Sequence, residues 1–550
     1  MKKNLTVWNL FSVVILAAFA LFIMYPIFLI LYRSVIHGDT GALTFQNFAH
    51  FFAKKFYWGT MVNSLKVTVV STILSAALGL PLAYLMRSVK IKGSSFLNIL
   101  IVISYLSPPF IGAYAWIQML GRQGVITQFL NDTFGLHYGG VYGFAGIVLV
   151  FTLQSFPLVY IYVSGALKNL DNSLNEAAES LGCSRIGRIW KIIVPLVMPT
   201  LLASSMLVFM RVFADFGTPM LIGEGYKTLP VLIYNQFMGE VSGDDGFAAA
   251  ICCIVIGLTI VMFFVQRFLA GRNTYAMTAL KPMAAESLGG LRNILAHLAV
   301  YMVVGLAILP QFVVVYTSFL ATNGGQVFTG GFALQSYDAT LFAKDNDVIW
   351  HTYFLGLCAI AAVLVLGVLI AYLSVRKRNT LNSILDVITM FPFIIPGSVL
   401  GIAFVFAFNK SPIILTGTAL IMIISFAVRR MPYTVRSSTA ILGNISPSIE
   451  EAAISLGASD MTTFRKITIP MMMPGVLSGA IMSWVTIISE LSSSIILYTN
   501  STQTLTVSIY TEVIRGNYGN ASAYATILTV TSILSLLLFY KVTGRRDVSV

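Results

Sequence analysis

The stretch SLNEAAESLGCSRIGRIWKIIVP at 173–195 returns as SIEEAAISLGASDMTTFRKITIP at 448–470, which is 275 positions later (448 minus 173) in a chain of 550 residues. Both copies follow one grammar. Ser173 with Glu176, and Ser448 with Glu451, have the S-x-x-E spacing of a capping box, in which the serine takes an orphan backbone N–H and the glutamate sits at the positive end of the helix dipole. In the second copy Ser446-Pro447 offers a rival start, with proline at the first helical position. Gly182 and Gly457 stand where a left-handed residue would stop a short helix. Ala177, Ala178, Ala452 and Ala453 keep one side of that helix slim enough for another surface to approach. A basic segment follows, Arg185, Arg188 and Lys191 or Arg465 and Lys466, and then Pro195 or Pro470 opens an apolar run. The pattern predicts a polar helix–turn–helix between membrane spans, shaped to be gripped. One E-A-A would be ordinary helix composition; a matched pair with cap, glycine and proline in phase is not.

The rest of the chain is built to sit in lipid. It is 57% hydrophobic and 10% charged, with a mean hydropathy of +0.85, which excludes a soluble domain and marks a polytopic membrane protein. The four cysteines, Cys183, Cys252, Cys253 and Cys358, show no metal-binding or disulfide spacing. The first apolar run lacks a small-residue cleavage site and reads as a retained span. Crossing about 30 Å of hydrocarbon takes about 20 apolar residues. Twelve runs qualify, near 8–31, 62–86, 96–120, 141–164, 193–212, 245–270, 293–319, 350–374, 383–408, 413–430, 469–489 and 521–541, all read as helices. The fold class expected is therefore all-α, polytopic.

Charge sets the orientation. The net charge of +13 would suit a nucleic-acid binder, but its distribution does not. With Lys2 and Lys3 inside, the same side collects Arg87, Lys90 and Lys92, then Lys168, Arg185, Arg188 and Lys191, then Arg267, Arg272, Lys281 and Arg292. Arg376, Lys377, Arg378, Arg429, Arg430, Arg436, Arg465, Lys466, Lys541, Arg545 and Arg546 join them. Both termini and both E-A-A stretches are then cytoplasmic. The chain also repeats in parallel: Pro157 meets Pro432, Pro199 meets Pro474 and Asp215 meets Glu490 at the 275 offset, while PLAYL at 81–85 meets LIAYL at 369–373 at 288. The expected domains are a first half at 1–270, a cytoplasmic linker at 271–292 and a second half at 293–550, six spans each about a pseudo-twofold axis.

Asp215 and Glu490 follow the first span after each repeated loop. An acid at membrane depth is expensive and faces a cavity or a partner. Gly217 and Pro219 beside Asp215, and Ser492 and Ser493 beside Glu490, break helical continuity where freed backbone could line a pathway. The competing reading places both acids at the outer interface or pairs them with a neighbour such as Arg211. The external segments 221–247 and 497–520, with Glu224, Glu240, Asp244, Asp245 and Glu512, could meet an extracytoplasmic protein or simply be solvated.

The repeated pattern resembles the cytoplasmic coupling loop of importer-type ABC transporter permeases, on Glu176, Ala177, Ala178, Gly182, Ile192 and Pro195 and on Glu451, Ala452, Ala453, Gly457, Ile467 and Pro470. The resemblance implies that each short helix docks in a groove of a separate ATP-binding subunit. A fused permease would thus meet two copies of that subunit and receive its solute from an extracytoplasmic solute-binding protein. ADFGTP at 214–219, TLPVLIY at 228–234, RRMPYTVRSS at 429–438 and the fused layout resemble the ferric-iron importer permeases; relatives for aminoethylphosphonate or thiamine are similar. The implied cargo is ferric iron, and the implied location the bacterial cytoplasmic (inner) membrane. No cluster of hard oxygen ligands spells out a ferric site in the spans, and the resemblance asks only for a weak, passable one.

The chain holds no G-x-x-x-x-G-K-[ST] loop, no H-E-x-x-H and no G-x-S-x-G. It is thus expected to be a transport subunit and not an enzyme, without cofactor of its own, with ATP and Mg on the partner. An ion-coupled secondary transporter would explain the repeat and the acids but not the paired loops. A membrane scaffold would explain the loops but not the acids.

Overall fold

Backbone N–H and C=O groups in hydrocarbon must find partners within the protein, so apolar runs close their hydrogen bonds as helices. The computed structural model of the chain follows that rule, and describes residues 7–37, 41–135, 139–239, 245–270, 285–324, 327–342 and 347–543. Lys2, Lys3, Arg272, Lys281, Arg545, Arg546, Glu240 and Asp244 lie outside the described residues, as does most of the segment 271–292.

In the first half the helices that frame the site are α1 (Val7–Ser34), α2 (Lys55–Ser88), α3 (Ser94–Leu106), α4 (Pro109–Leu120), α5 (Gly143–Lys168), α6 (Ser173–Ser180), α7 (Arg185–Ala214) and α8 (Asp245–Ala270), with shorter helices between them. The second half has α9 (Gly290–Ser318), α10 (Val348–Arg376), α11 (Thr380–Ile394), α12 (Gly397–Phe408), α13 (Ala419–Asn444), α14 (Ser448–Ser455), α15 (Asp460–Ile488) and α16 (Tyr518–Thr543). Among the described residues nine helices are long and apolar enough to cross a membrane, or eleven with two bent pairs. The tenth run expected, 413–430, starts later, as α13, and carries Arg429, Arg430 and Arg436 on a helix of 26 residues.

The runs 96–120 and 383–408 are not straight spans. α3 meets the following helix at 100°, and α11 meets α12 at 110°. The breaks fall at Pro108-Pro109 and Pro396, where the ring removes a backbone donor and forces the preceding residue out of the helical region. A two-stranded antiparallel hairpin, β1 (Leu320–Asn323) and β2 (Val327–Phe332), pairs Leu320 with Phe332 and Asn323 with Val327. The all-α expectation thus needs one small amendment.

The two halves interlock. α1 packs against α10, α11 and α12 of the other half, and α9 packs against α2, α3 and α4. Trp8, 5% exposed, lies 4.7 Å from the Tyr372 ring and 5.2 Å from Phe464, while Ser12 Oγ donates to Asn382 Oδ1 at 2.6 Å. Between the halves, Glu286 N–H donates to the Ser88 carbonyl and Lys90 N–H to the Glu286 carbonyl, both at 2.9 Å. This chain-to-chain bridge ties the approach to α9 onto the end of α2.

Candidate functional site

The two repeated loops fold alike. Each short helix, α6 and α14, is closed by a left-handed glycine, Gly182 at φ +80° and Gly457 at φ +91°. Gly182 N–H bonds the Glu179 carbonyl and Cys183 N–H the Ala178 carbonyl, both 2.9 Å. Gly457 to Ile454 (2.9 Å) and Ala458 to Ala453 (3.1 Å) repeat the arrangement. These are the paired bonds of a Schellman stop, which satisfy carbonyls the helix end would otherwise orphan. No atom lies within 4 Å of a Cβ built on either glycine, so the left-handed backbone and not crowding sets the residue type.

The helix starts differ from the expectation. The capping boxes do not form. Asn172 precedes α6, its Nδ2 donating to Glu176 Oε1 at 3.0 Å, and Asp171 Oδ1 accepts from Ser173 N–H at 2.9 Å. In the second copy the rival start prevails: Pro447, fixed at φ −58°, leads into α14, and Ser446 Oγ meets Ser448 Oγ at 2.8 Å. The serines that do cap belong to the second arm of each loop. Ser184 Oγ accepts from Gly187 N–H and Ser459 Oγ from Thr462 N–H, each at 3.2 Å. Each second arm then widens into a π-turn, Ile189–Ile193 or Phe464–Thr468, just before the motif proline, where a donor is missing and the ladder must shift. Both arms run without a break into the next span, so α7 ends one residue before Asp215 and α15 two residues before Glu490.

Glu176, Ala177, Glu451 and Ala452 are exposed, and Ala178 and Ala453 half-buried. The most exposed apolar side chains of the loops are ones the motif does not contain: Leu181, 88% exposed, and Leu456, 89% exposed, each just before its glycine. Their signal was in the sequence, since S-L-G occurs in both copies, but an isolated leucine beside a polar helix reads as part of the helix face. Glu450 was missed as well. Glu451, its neighbour, points outward, while Glu450 is 9% exposed and bonds Arg376 Nε through Oε1 at 3.0 Å and Thr468 Oγ1 at 3.1 Å.

Asp215 and Glu490 are brought near enough to act on each other electrostatically, with no direct bond between them. Asp215 Oδ1 accepts Thr218 N–H at 2.9 Å, and Glu490 Oε1 accepts Ser493 N–H at 3.2 Å, the same bond in both halves (218 plus 275 is 493). Asp215 also faces a small cavity of about 10 Å³ with Ser64, Thr68, Pro219 and Thr228. Glu490 is 3% exposed and ion-paired with both Arg429 and Arg430. Arg211, the neighbour named in the competing reading, lies over the Tyr105 ring at 4.7 Å and acts on Asp215 through space without a direct ion pair. Gly217 and Ser492 place the breaks against the bent helices. A Cβ on Gly217 would come within 2.9 Å of both Phe110 Cβ and Leu491 Cδ2, and one on Gly397 within 2.7 Å of Ser492 Cβ. The starts of α4 and α12 therefore abut the two acid-bearing breaks, and Gly217 touches the other half through Leu491. Among the described residues no group of three His, Cys, Asp or Glu could hold a metal ion.

The family described as "Binding-protein-dependent transport system inner membrane component" matches the chain twice, over residues 75–275 and 363–546. A ferric transport system permease protein, FbpB, of Actinobacillus pleuropneumoniae is 30% identical over 546 residues, covering 97% of this chain and 78% of its own. A putative 2-aminoethylphosphonate transport system permease protein, PhnU, of Salmonella choleraesuis is 26% identical over 270 residues, 48% of this chain and 92% of its own. A solved bacterial ABC transporter involved in the import of the acidic polysaccharide alginate superposes with a TM-score of 0.40 at 16% identity, over 49% of this chain and 96% of its own.

Proposed function

The chain belongs to the family of binding-protein-dependent transport system inner membrane components, and from that premise we propose that it carries ferric iron across the membrane when two ATP-binding subunits move its two short cytoplasmic helices. It is a permease of the ABC importer type with both halves fused in one chain, a transport subunit and not an enzyme. It works in the inner membrane with an ATP-binding subunit and a substrate-binding protein. In our reading the ATP-binding subunit is present twice, one copy per helix, with ATP and magnesium bound there, and both termini of this chain face the cytoplasm.

The observation that carries this reading is the duplicated loop: two Schellman-closed helices, each ending in a leucine nearly nine-tenths exposed and each followed by a span that stops at an acid, Asp215 half-buried and Glu490 buried. A partner that grips Leu181 and Leu456 and changes shape with nucleotide acts on α7 and α15 directly. Its contacts would differ between the outward and inward states, which a shift of population requires. Ferric iron is the cargo named for the relative that covers 97% of the chain; 2-aminoethylphosphonate, named for a half-length relative, is the second reading.

Leu181→Asp together with Leu456→Asp tests the grip. Co-purification of the ATP-binding subunit should be lost while the permease stays monodisperse in detergent; retention at wild-type stoichiometry would sink the docking assignment. Labelling of Cys183 from the cytoplasmic face alone is expected, and labelling from outside would reverse the orientation. Uptake of ferric iron against 2-aminoethylphosphonate in vesicles holding the whole importer separates the two cargoes.

A further inference from the structure

The centre between the halves carries more positive than negative charge. Three guanidinium groups, Arg211, Arg429 and Arg430, stand there among two carboxyl groups, Asp215 and Glu490. Glu490 is already held by two guanidinium groups and the Ser493 N–H, and Asp215 accepts the Thr218 N–H. Glu490 is therefore not a bare ligand for a cation, and Asp215 is a single carboxyl with one oxygen already bonded to a backbone N–H. Arg430 Nε is buried without a partner among the described residues.

The surroundings add donors. Tyr105 lies under Arg211 at 4.7 Å and is an electrostatic neighbour of Arg430 and Tyr433; Tyr162 neighbours both tyrosines. These residues come from α3, α5, α7 and α13, so both halves contribute. The backbone has the same sign. α4 and α12, twelve residues each, begin at the break of a bent pair and set their N-terminal ends against Gly217 and Ser492. A helix start is the positive end of its dipole, and broken helices that meet at mid-membrane turn such ends toward anionic groups. Guanidinium groups and helix starts offer hydrogen to a ligand oxygen and hold off a metal cation, while the phenol oxygens can donate or accept.

We propose that what passes this centre is an anion, so that iron crosses within an oxyanion or carboxylate complex of net negative charge and not as the bare trivalent ion. The metal in this statement rests on the ferric reading above; the sign of the charge rests on the arginines. Arg211, free of the Glu490 pair, is the specificity-determining residue, with Tyr105 as the surface that orients it.

The test uses the whole importer in vesicles: permease, ATP-binding subunit and binding protein, with labelled ferric iron, in a medium where labelled phosphate or labelled citrate is the only oxyanion or carboxylate. The label on the anion should accumulate in fixed proportion to iron. Arg211→Gln should slow uptake roughly tenfold, the scale of one lost charge-assisted contact, and Arg211→Lys should recover most of the rate with the same anion-to-iron ratio. Iron entering without either labelled anion overturns the proposal, as does wild-type uptake by Arg211→Gln in a preparation that still binds the ATP-binding subunit. If no iron enters under any condition, the ferric reading fails by itself. Uptake of labelled phosphate or 2-aminoethylphosphonate alone then upholds the anionic cargo, and its absence overturns it.

Discussion

The two cytoplasmic loops are built to one plan and attached in two ways. In the second half Arg376 clamps α14: its Nε bonds Glu450 at 3.0 Å, its Nη2 bonds the Ile445 carbonyl at 2.7 Å, and the paired side chains are only 10% and 12% exposed. Lys377 adds a bond to Asp460 at 2.9 Å, and Trp8, Tyr372 and Phe464 fill the space behind. The matching positions of the first half are Ser88 (88 plus 288 is 376) and Asn175 (175 plus 275 is 450). Ser88 Oγ and Asn175 Oδ1 are buried with no partner among the described residues, and both line a cavity of about 250 Å³ behind α6. Phe464 is matched by the smaller Ile189 (189 plus 275 is 464). What holds α6 instead is an ion pair within its own loop, Arg188 to Glu179. A duplicated motif can thus keep its partner-facing surface while its anchorage to the bundle diverges, so the second helix should pass on force more stiffly than the first.

The largest expected effect is on the clamp. Glu450→Ala leaves the Arg376 guanidinium buried without its carboxylate and should cost about 3–5 kcal/mol, read as a fall in melting temperature. Asn175→Ala, at the matching site, should cost under about 1 kcal/mol, because the Oδ1 removed is unsatisfied already and Nδ2 makes one long bond to Asn172. Equal losses would break the comparison. Next, Ser88→Arg combined with Asn175→Glu should build the missing clamp inside the cavity, with a favourable coupling of about 1–3 kcal/mol in a double-mutant cycle. Zero coupling would mean that the first loop cannot accept it.

Gly182→Ala and Gly457→Ala should each cost about 1–2 kcal/mol, by forcing a Cβ into the left-handed region. The two should agree closely, since both sites are open around the Cβ; a marked difference would show that the loops are not equivalent where they look most alike.

The smallest effect is one of pH. The hydrogen bond from Lys377 holds the Asp460 carboxyl below its ordinary 3.8. A depressed carboxyl stabilises above its unfolded value, and that contribution fades as the pH falls through the folded one. Asp460→Asn should therefore lower the melting temperature slightly at neutral pH, by under about 1 kcal/mol for a pair this exposed. The difference should vanish in acid. Arg185 stands at the matching position of the first loop, so the lysine–carboxylate bond is not repeated there.

Much of the architecture was legible without coordinates, because it rests on local rules. A glycine four residues after E-A-A stops a helix by its own backbone freedom, and runs of apolar residues must become helices in lipid. The helix starts departed from the capping-box expectation where two local signals competed, serine against Asn172 in the first copy and against the rival Pro447 in the second. The straight spans expected at 96–120 and 383–408 failed for a similar reason. Pro108, Pro109 and Pro396 were present, but only the fit of α4 and α12 against Gly217 and Ser492 decides that the chain turns by 100° or more instead of kinking.

By itself the sequence determined the duplication, the membrane class, the two loops and the presence of an acid at the end of each following span, since all of these depend on composition, period and spacing. Only the tertiary structure decided that Glu490 is locked by Arg429 and Arg430 while Asp215 is not, and that Arg376 reaches Glu450. It also decided that the first helix of each half packs against the other. Those facts join residues tens to hundreds of positions apart, and no local periodicity carries the distance between two side chains on different helices.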